Sequence, residues 1–198
     1  MLVESGGGAM PYEIERKFLV RDDSWRASAG GAISIRQGYL TRNGTMSLRI
    51  RLIDGVRATL TIKSPVSEIR RLEFEYEIPM TDGAALIGLR EGGVIEKLRH
   101  KIPWQGLVWE VDLFQGENRG LVIAEIELPH EDTIFEKPEW LGREVTSDPR
   151  YSNAHLAKMP FRGWTDPMQD AHILGQGNGC ANQSPELQAQ CSGTRRNR

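Results

Sequence analysis

The stretch Ser47-Leu48-Arg49-Ile50-Arg51-Leu52-Ile53-Asp54-Gly55-Val56-Arg57-Ala58-Thr59-Leu60-Thr61-Ile62-Lys63 decides the fold. Polar and apolar residues alternate along it with a period of two, which marks strands with one buried face. The alternation breaks at Asp54-Gly55, a dipeptide suited to the positive φ angles of a two-residue hairpin turn. The prediction is a pair of antiparallel strands near residues 45–53 and 56–63. Successive strand side chains point to opposite faces. Ser47, Arg49 and Arg51 therefore form one row against Leu48, Ile50 and Leu52, while Thr59, Thr61 and Lys63 oppose Leu60 and Ile62.

Outward from this hairpin the pattern recurs near residues 12–20, 32–40, 70–79, 95–102, 106–114 and 121–128. Eight strands in sequence, several joined by short turns such as Asn43-Gly44, favour an antiparallel meander. Thr81 to Arg90 reads as a helix opening on a Thr81-Asp82 cap, and a short helix follows Asp148-Pro149, from Arg150 to Lys158. The fold class is mostly β with covering helices (α+β).

The polar rows are sorted by sign. Arg49 and Arg51, Lys63, and Lys97 with Arg99 are cationic, whereas Glu13 with Glu15, Glu73 with Glu75, and Glu125 with Glu127 are paired acids. Glu110 and Asp112 share a face, as do Lys17 and the first acid pair. A half-exposed sheet with a solvated polar face is one reading of such rows. Against it, Ser, Gln and Asn filler is almost absent, and like charges two apart on one face repel, so a sheet built for stability would intermix them. Eight strands also suffice to close a barrel with the charges inside and the apolar face covered by helices. In that interior the bases suit an anion and the carboxylates a hard divalent cation, so a phosphate chain with its metal satisfies both.

Composition narrows the classes further. The 198 residues carry 25 Lys and Arg against 27 Asp and Glu, a net charge of -2 that gives no global footprint for duplex nucleic acid. Cys180 and Cys191 both fall near the C-terminus, which excludes a disulfide framework or a cysteine-rich zinc site. No apolar run reaches the roughly 20 residues of a membrane span, and no signal-peptide pattern opens the chain. The expectation is a cytoplasmic protein with a flexible leader over residues 1–9, one domain over residues 10–164, and a disordered polar tail over residues 165–198. Met10 fits an alternative start. Monomer and homodimer are both compatible with this sequence.

Glu13-Ile14-Glu15-Arg16-Lys17 resembles the ExExK signature of the CYTH superfamily, the triphosphate tunnel metalloenzymes. Further segments match in order: Arg36-Gln37-Gly38-Tyr39-Leu40, Leu48-Arg49-Ile50-Arg51, Thr61-Ile62-Lys63, Arg71-Leu72-Glu73-Phe74-Glu75, Glu96-Lys97-Leu98-Arg99, Glu110-Val111-Asp112, Glu125-Ile126-Glu127, Glu144-Val145-Thr146 and Arg150-Tyr151-Ser152-Asn153. The resemblance covers residues 11–160 and is strongest to short bacterial inorganic triphosphatases. It implies an eight-stranded antiparallel closed β-barrel, the triphosphate tunnel fold, that hydrolyses inorganic triphosphate to diphosphate and phosphate with Mg²⁺ or Mn²⁺.

By the same resemblance Lys17, Arg49, Arg51, Lys63, Lys97 and Arg99 bind the substrate. Glu13, Glu15, Glu125, Glu127 and Asp112 hold metal, with Arg71, Glu73 and Glu75 supporting them, and Lys17 with Tyr39 forms a catalytic dyad near the scissile phosphate. The alternatives are a class IV-type adenylate cyclase, a nucleoside or thiamine triphosphatase, and a non-catalytic polyphosphate-binding module. His100, His130, His155 and His172 lack metal-ligand spacing. Trp104 and Trp109 are expected outside the barrel, while Tyr151 and Asn153, which open the C-terminal helix, either close one barrel mouth or pack its N-terminus.

Overall fold

A computed structural model describes residues 12–42 and 46–165. The expected leader, the Asn43-Gly44 turn and the expected tail beyond residue 165 lie outside the described residues. Strands β1 (Tyr12–Val20), β2 (Ile33–Arg42), β3 (Ser47–Ile53), β4 (Arg57–Pro65), β5 (Arg70–Ile78), β6 (Glu91–Trp104), β7 (Leu107–Phe114) and β8 (Val122–Glu127) correspond to the eight expected from alternation. They form a closed antiparallel barrel in the order β5-β4-β3-β2-β6-β7-β8-β1, with β1 returning to β5. The hairpin between β3 and β4 turns at Asp54 and Gly55, with φ of 51° and 70°, but Ile53 pairs with Arg57, so the connection has three residues, Asp54, Gly55 and Val56, and not the expected two.

The closing seam is short. Tyr12, Glu13 and Ile14 pair with Leu72, Arg71 and Arg70, and further along the same edge of β1 a ninth strand, β9 (Leu141–Glu144), pairs at Phe18 and Val20. Between them the Lys17 backbone N–H donates to Thr146 Oγ1 at 3.0 Å, so a side chain continues the ladder. The four-residue Leu141-Gly142-Arg143-Glu144 segment is too short for alternation to reveal it.

Each face of the barrel wall has its own cover. Outside β1, β7 and β8, Phe18, Trp109, Ala124 and Ile126 pack with Trp25 and Trp140. Helix α1 (Met80–Leu86) covers Ile50, Leu52 and Ala58. At Gly83 a Cβ would lie 2.5 Å from the Ala58 Cβ, so glycine sets how closely this helix approaches. The helix does not use the expected Thr81-Asp82 cap: Pro79 precedes it, and the Asp82 and Gly83 N–H groups donate to the Pro79 carbonyl. Beyond residue 86 the expected helix tightens into a single 3-10 turn over Ile87–Leu89. The second expected helix is also broken. A 3-10 turn at Pro149–Tyr151, capped by Asp148, leads to Ser152, which caps α2 (Asn153–Leu156).

The barrel interior changes character along its length. Rows that begin with charges continue into Leu19, Ile95, Phe114 and Ile123, which pack with Tyr151, Leu156 and Phe161 in one buried cluster. One end of the interior is thus filled by apolar side chains and the C-terminal segment, where alternation alone predicts a polar tunnel throughout.

Candidate functional site

The remaining interior is a cavity of about 700 Å³. Its wall includes Glu13, Glu15, Lys17, Tyr39, Arg49, Arg51, Lys63, Arg71, Glu73, Glu75, Arg99, Glu125 and Glu127, thirteen of the fifteen residues expected at the site. The β-register explains the convergence. Glu15 stands opposite Glu127 and Lys17 opposite Glu125; Arg49 stands opposite Thr61 and Arg51 opposite Thr59. Because the inward rows of the strands face a common lumen, residues far apart in sequence come within ion-pair distance.

Lys97 and Asp112 lie behind this wall. Both side chains are fully buried and ion-paired to each other. Asp112 also accepts from Arg99 Nε at 2.7 Å and Nη2 at 2.6 Å. Burial opposes its charge, but Arg99 and then Lys97 outweigh that and hold the carboxyl below its ordinary value. Burial followed by Arg99 pushes the Lys97 ammonium down to about 8. With every carboxylate oxygen engaged and no exposure, Asp112 orients Arg99 and does not face the lumen. Its neighbour on the same row, Glu110, does line the cavity and accepts from Arg99 Nη1. The signal for Glu110 was its shared parity with Asp112. Parity assigns a face but carries no depth along the barrel.

Most lumen charges neutralise one another. Lys63 bonds Glu13 at 2.5 Å and Glu73 at 3.0 Å. Glu15 receives Lys17 at 2.8 Å and Arg71 at 3.1 Å. Lys17 also bonds Glu125, which accepts from Arg99 at 2.7 Å. Burial works against the Lys17 ammonium, yet Glu125 and Glu15 raise it above its ordinary value. In the same way burial is overcome at Glu125, which Lys17, Lys97 and Arg99 hold well below the usual carboxylate range. Arg49 donates to Thr61 at 3.0 Å and reaches Glu73 and Glu75 at 3.6 Å. Tyr39, opposite Arg49 on β2, lines the same cavity as Lys17; no hydrogen bond joins the two among the described residues.

Two strand residues of the lumen stand outside this pairing. Among the described residues, Arg51 has no carboxylate in ion-pair contact; its Nε donates to Gln37 Oε1 at 3.2 Å. Burial, Arg49 and Arg99 together push its guanidinium down to about 10. Among the described residues Glu127 has no cation in ion-pair contact, and burial followed by Glu13, Glu110, Glu15 and Glu73 pushes its carboxyl above the ordinary value. Within those residues the lumen therefore holds a cation with no ion-paired carboxylate and a carboxylate with no ion-paired cation. No three acidic or histidine side chains among the described residues form a ready metal cage, which follows from the acids being bonded to lysine and arginine. Outside the barrel, Trp109 packs edge-on against Phe18 and Trp140 as expected. Ser152, Asn153 and Lys158 contribute the C-terminal segment's share of the cavity wall.

Fold and site together define a closed antiparallel β-barrel whose lumen is lined by both acids and bases. The CYTH domain family matches residues 11–158, and the chain belongs to that family. It is 48% identical over 158 residues to an inorganic triphosphatase of Acetivibrio thermocellus, covering 79% of this chain and all of that one. It is 39% identical over 150 residues to an inorganic triphosphatase of Nitrosomonas europaea, covering 73% and 96% of the two chains. A crystal structure of an inorganic triphosphatase superposes with a TM-score of 0.53 at 36% identity, covering 73% of this chain and 93% of that one.

Proposed function

We propose that this protein is an inorganic triphosphatase, cleaving triphosphate with water to diphosphate and phosphate. The observation that carries the reading is that Arg51 and Glu127 lack an ion-pair partner among the described residues, in a lumen whose other charged strand residues are ion-paired. Arg49, Arg51, Lys63 and Arg99 bind phosphate oxygens, the guanidinium groups in bidentate fashion. Lys97 supports Arg99 from behind through Asp112. Lys17 and Tyr39 flank the terminal phosphoryl group, where they position the attacking water and stabilise the departing bridging oxygen. Water attacks the terminal phosphorus in line, the bond to the bridging oxygen breaks, and diphosphate leaves. Positioning and charge stabilisation carry the rate.

Triphosphatases of this family use a divalent metal, and the lumen fits one. Among the described residues Glu127 has no ion-pair partner and is ringed by other carboxylates; Glu15 stands directly opposite it across the β1–β8 ladder, but Lys17 and Arg71 neutralise Glu15 and leave Glu127 open to a metal. Glu127, Glu15, Glu13 and Glu125 would hold Mg²⁺ or Mn²⁺, with Arg71, Glu73 and Glu75 fixing the carboxylates. When bound, the metal neutralises phosphate charge and acidifies water. The working unit is the domain over residues 10–164. No helix among the described residues is long and apolar enough to cross a membrane, and a cytoplasmic location suits the substrate.

Phosphate release measured across triphosphate, ATP, GTP, thiamine triphosphate and long-chain polyphosphate, with Mg²⁺ and with Mn²⁺, tests this. Triphosphate is expected to give the highest kcat/KM. Cyclic AMP and diphosphate as the main products from ATP would replace hydrolysis with cyclisation, and tight triphosphate binding without turnover would leave only a binding module.

A further inference from the structure

The uncompensated charge of Arg51 depends on the two residues that stand opposite it. Gln37 on β2 and Thr59 on β4 are its cross-strand neighbours, at 0% and 1% exposure. Gln37 Oε1 accepts from Arg51 Nε, while Gln37 Nε2 and Thr59 Oγ1 have no hydrogen-bond partner among the described residues. Two unpaired polar atoms buried beside a cation are costly, and a fold shaped for stability alone would satisfy them. Glutamate at 37 matches the shape of the glutamine present, and aspartate at 59 is close to threonine in size; either would set a carboxylate beside the guanidinium. Arg99, by contrast, is surrounded by Asp112, Glu110 and Glu125.

We propose that Gln37 and Thr59 are positioning residues whose neutrality reserves Arg51 for the substrate's phosphate oxygens. Gln37 anchors the Nε edge of the guanidinium and leaves its terminal amino groups to the lumen. Neither neighbour cancels the charge, so Arg51 meets the polyanion without first breaking an ion pair. Arg49, Lys63 and Arg99 must exchange carboxylates for phosphate, whereas Arg51 does not. This inference rests on the triphosphate reading of the lumen.

The test uses the full chain with four near-isosteric substitutions: the acidic Gln37→Glu and Thr59→Asp, and the neutral Gln37→Met and Thr59→Val. Thermal unfolding checks the fold, calorimetry gives the triphosphate Kd in Mg²⁺, and steady-state kinetics separates KM from kcat. Each acidic variant is expected to raise Kd and KM at least tenfold with kcat lowered less, and with Tm unchanged or higher. Thr59→Val, which removes no hydrogen bond, is expected to stay within about threefold of the wild type, and Gln37→Met, which gives up the Nε anchor, to lose less than Gln37→Glu. Acidic variants that bind like the wild type, or neutral variants that lose as much as the acidic ones, overturn the proposal. If the acidic variants do not fold, Thr59→Val decides: retention within threefold beside a tenfold loss in Arg51→Gln supports it, and a tenfold loss in Thr59→Val refutes it. A wild type that binds no triphosphate overturns the reading of the lumen itself, and this inference with it; a wild type that binds while the acidic variants match it overturns this inference alone.

Discussion

Replacing Arg51 with methionine should make the ligand-free protein more stable and the liganded protein less so. Burial, Arg49 and Arg99 push the guanidinium down to about 10, which corresponds to about 3 kcal/mol of opposition to its charge. Methionine removes that opposition and keeps most of the aliphatic packing. It forfeits the hydrogen bond to Gln37 Oε1 and leaves that oxygen unpaired, which returns about 2 kcal/mol. The net gain is about 1 kcal/mol, or roughly 2–4 °C in Tm for a chain of this size. Triphosphate reverses the order. At a hundred times its Kd the ligand adds about 2.7 kcal/mol to the wild type. A variant lacking one charge-assisted contact binds about a hundredfold more weakly and gains only about 0.4 kcal/mol at the same concentration. Urea unfolding with and without triphosphate reads both arms. An Arg51→Met protein less stable than the wild type without ligand by 1 kcal/mol or more, or stabilised equally by triphosphate, would refute the claim that Arg51 is held charged for an anion.

Three further substitutions probe other parts of the lumen. Asp112→Asn leaves Lys97 and Arg99 buried without their shared carboxylate and should cost about 3–5 kcal/mol in denaturant unfolding; a loss under 1 kcal/mol would mean that water reaches the pair. Glu127→Gln should raise the Mg²⁺ concentration needed for half-maximal activity at least tenfold, on the order of what supporting ligands contribute at metal sites, and an unchanged metal dependence removes Glu127 from the ligand set. The same variant has a pH signature in metal-free protein. The Glu127 carboxyl is raised in the folded state, so its share of stability is full below the unfolded value and is lost as pH rises through the folded one; Glu127→Gln should flatten that decline. Thr146→Val deprives the Lys17 N–H of its acceptor and should cost about 1–3 kcal/mol; Thr146→Ser should restore it, and equal losses in both variants would point to packing instead.

Period-two alternation revealed the eight barrel strands and the residues that face inward, because strand geometry ties side-chain direction to parity. Depth along the barrel axis is set by stagger between strands, which a single strand's sequence does not encode. Glu110 and Asp112 share parity, yet Glu110 faces the lumen and Asp112 is sealed behind Arg99. Lys97 sits deep as well, with its ammonium 5.6 Å from the centre of the Phe114 ring, against the apolar layer. That layer escaped for a related reason. Leu19, Ile95, Phe114 and Ile123 occupy inward positions, and an apolar residue ending a charged row looks in sequence like the end of a strand. The ninth strand and the Thr146 contact depend on a segment more than a hundred residues from β1, a pairing that no local pattern specifies.

The near equality of bases and acids takes on a mechanical meaning in this lumen. Burying a cluster of one sign would cost many kcal/mol by desolvation and repulsion, and the fold avoids that by bonding Lys63 to Glu13 and Arg71 to Glu15. On the proposed reading, entry of a triphosphate with its metal would be an exchange of partners, in which bases would turn to phosphate oxygens and released carboxylates to the metal. Exchange needs a starting point, since breaking every pair before any new contact forms would impose a high barrier. On the proposed reading Arg51 and Glu127 would supply one, the guanidinium for phosphate and the carboxylate for metal, because neither has an ion pair to open among the described residues. Each later exchange then replaces one charge-assisted bond with another of similar strength. Phosphate and metal should consequently bind with positive coupling, because each frees the residues that the other requires.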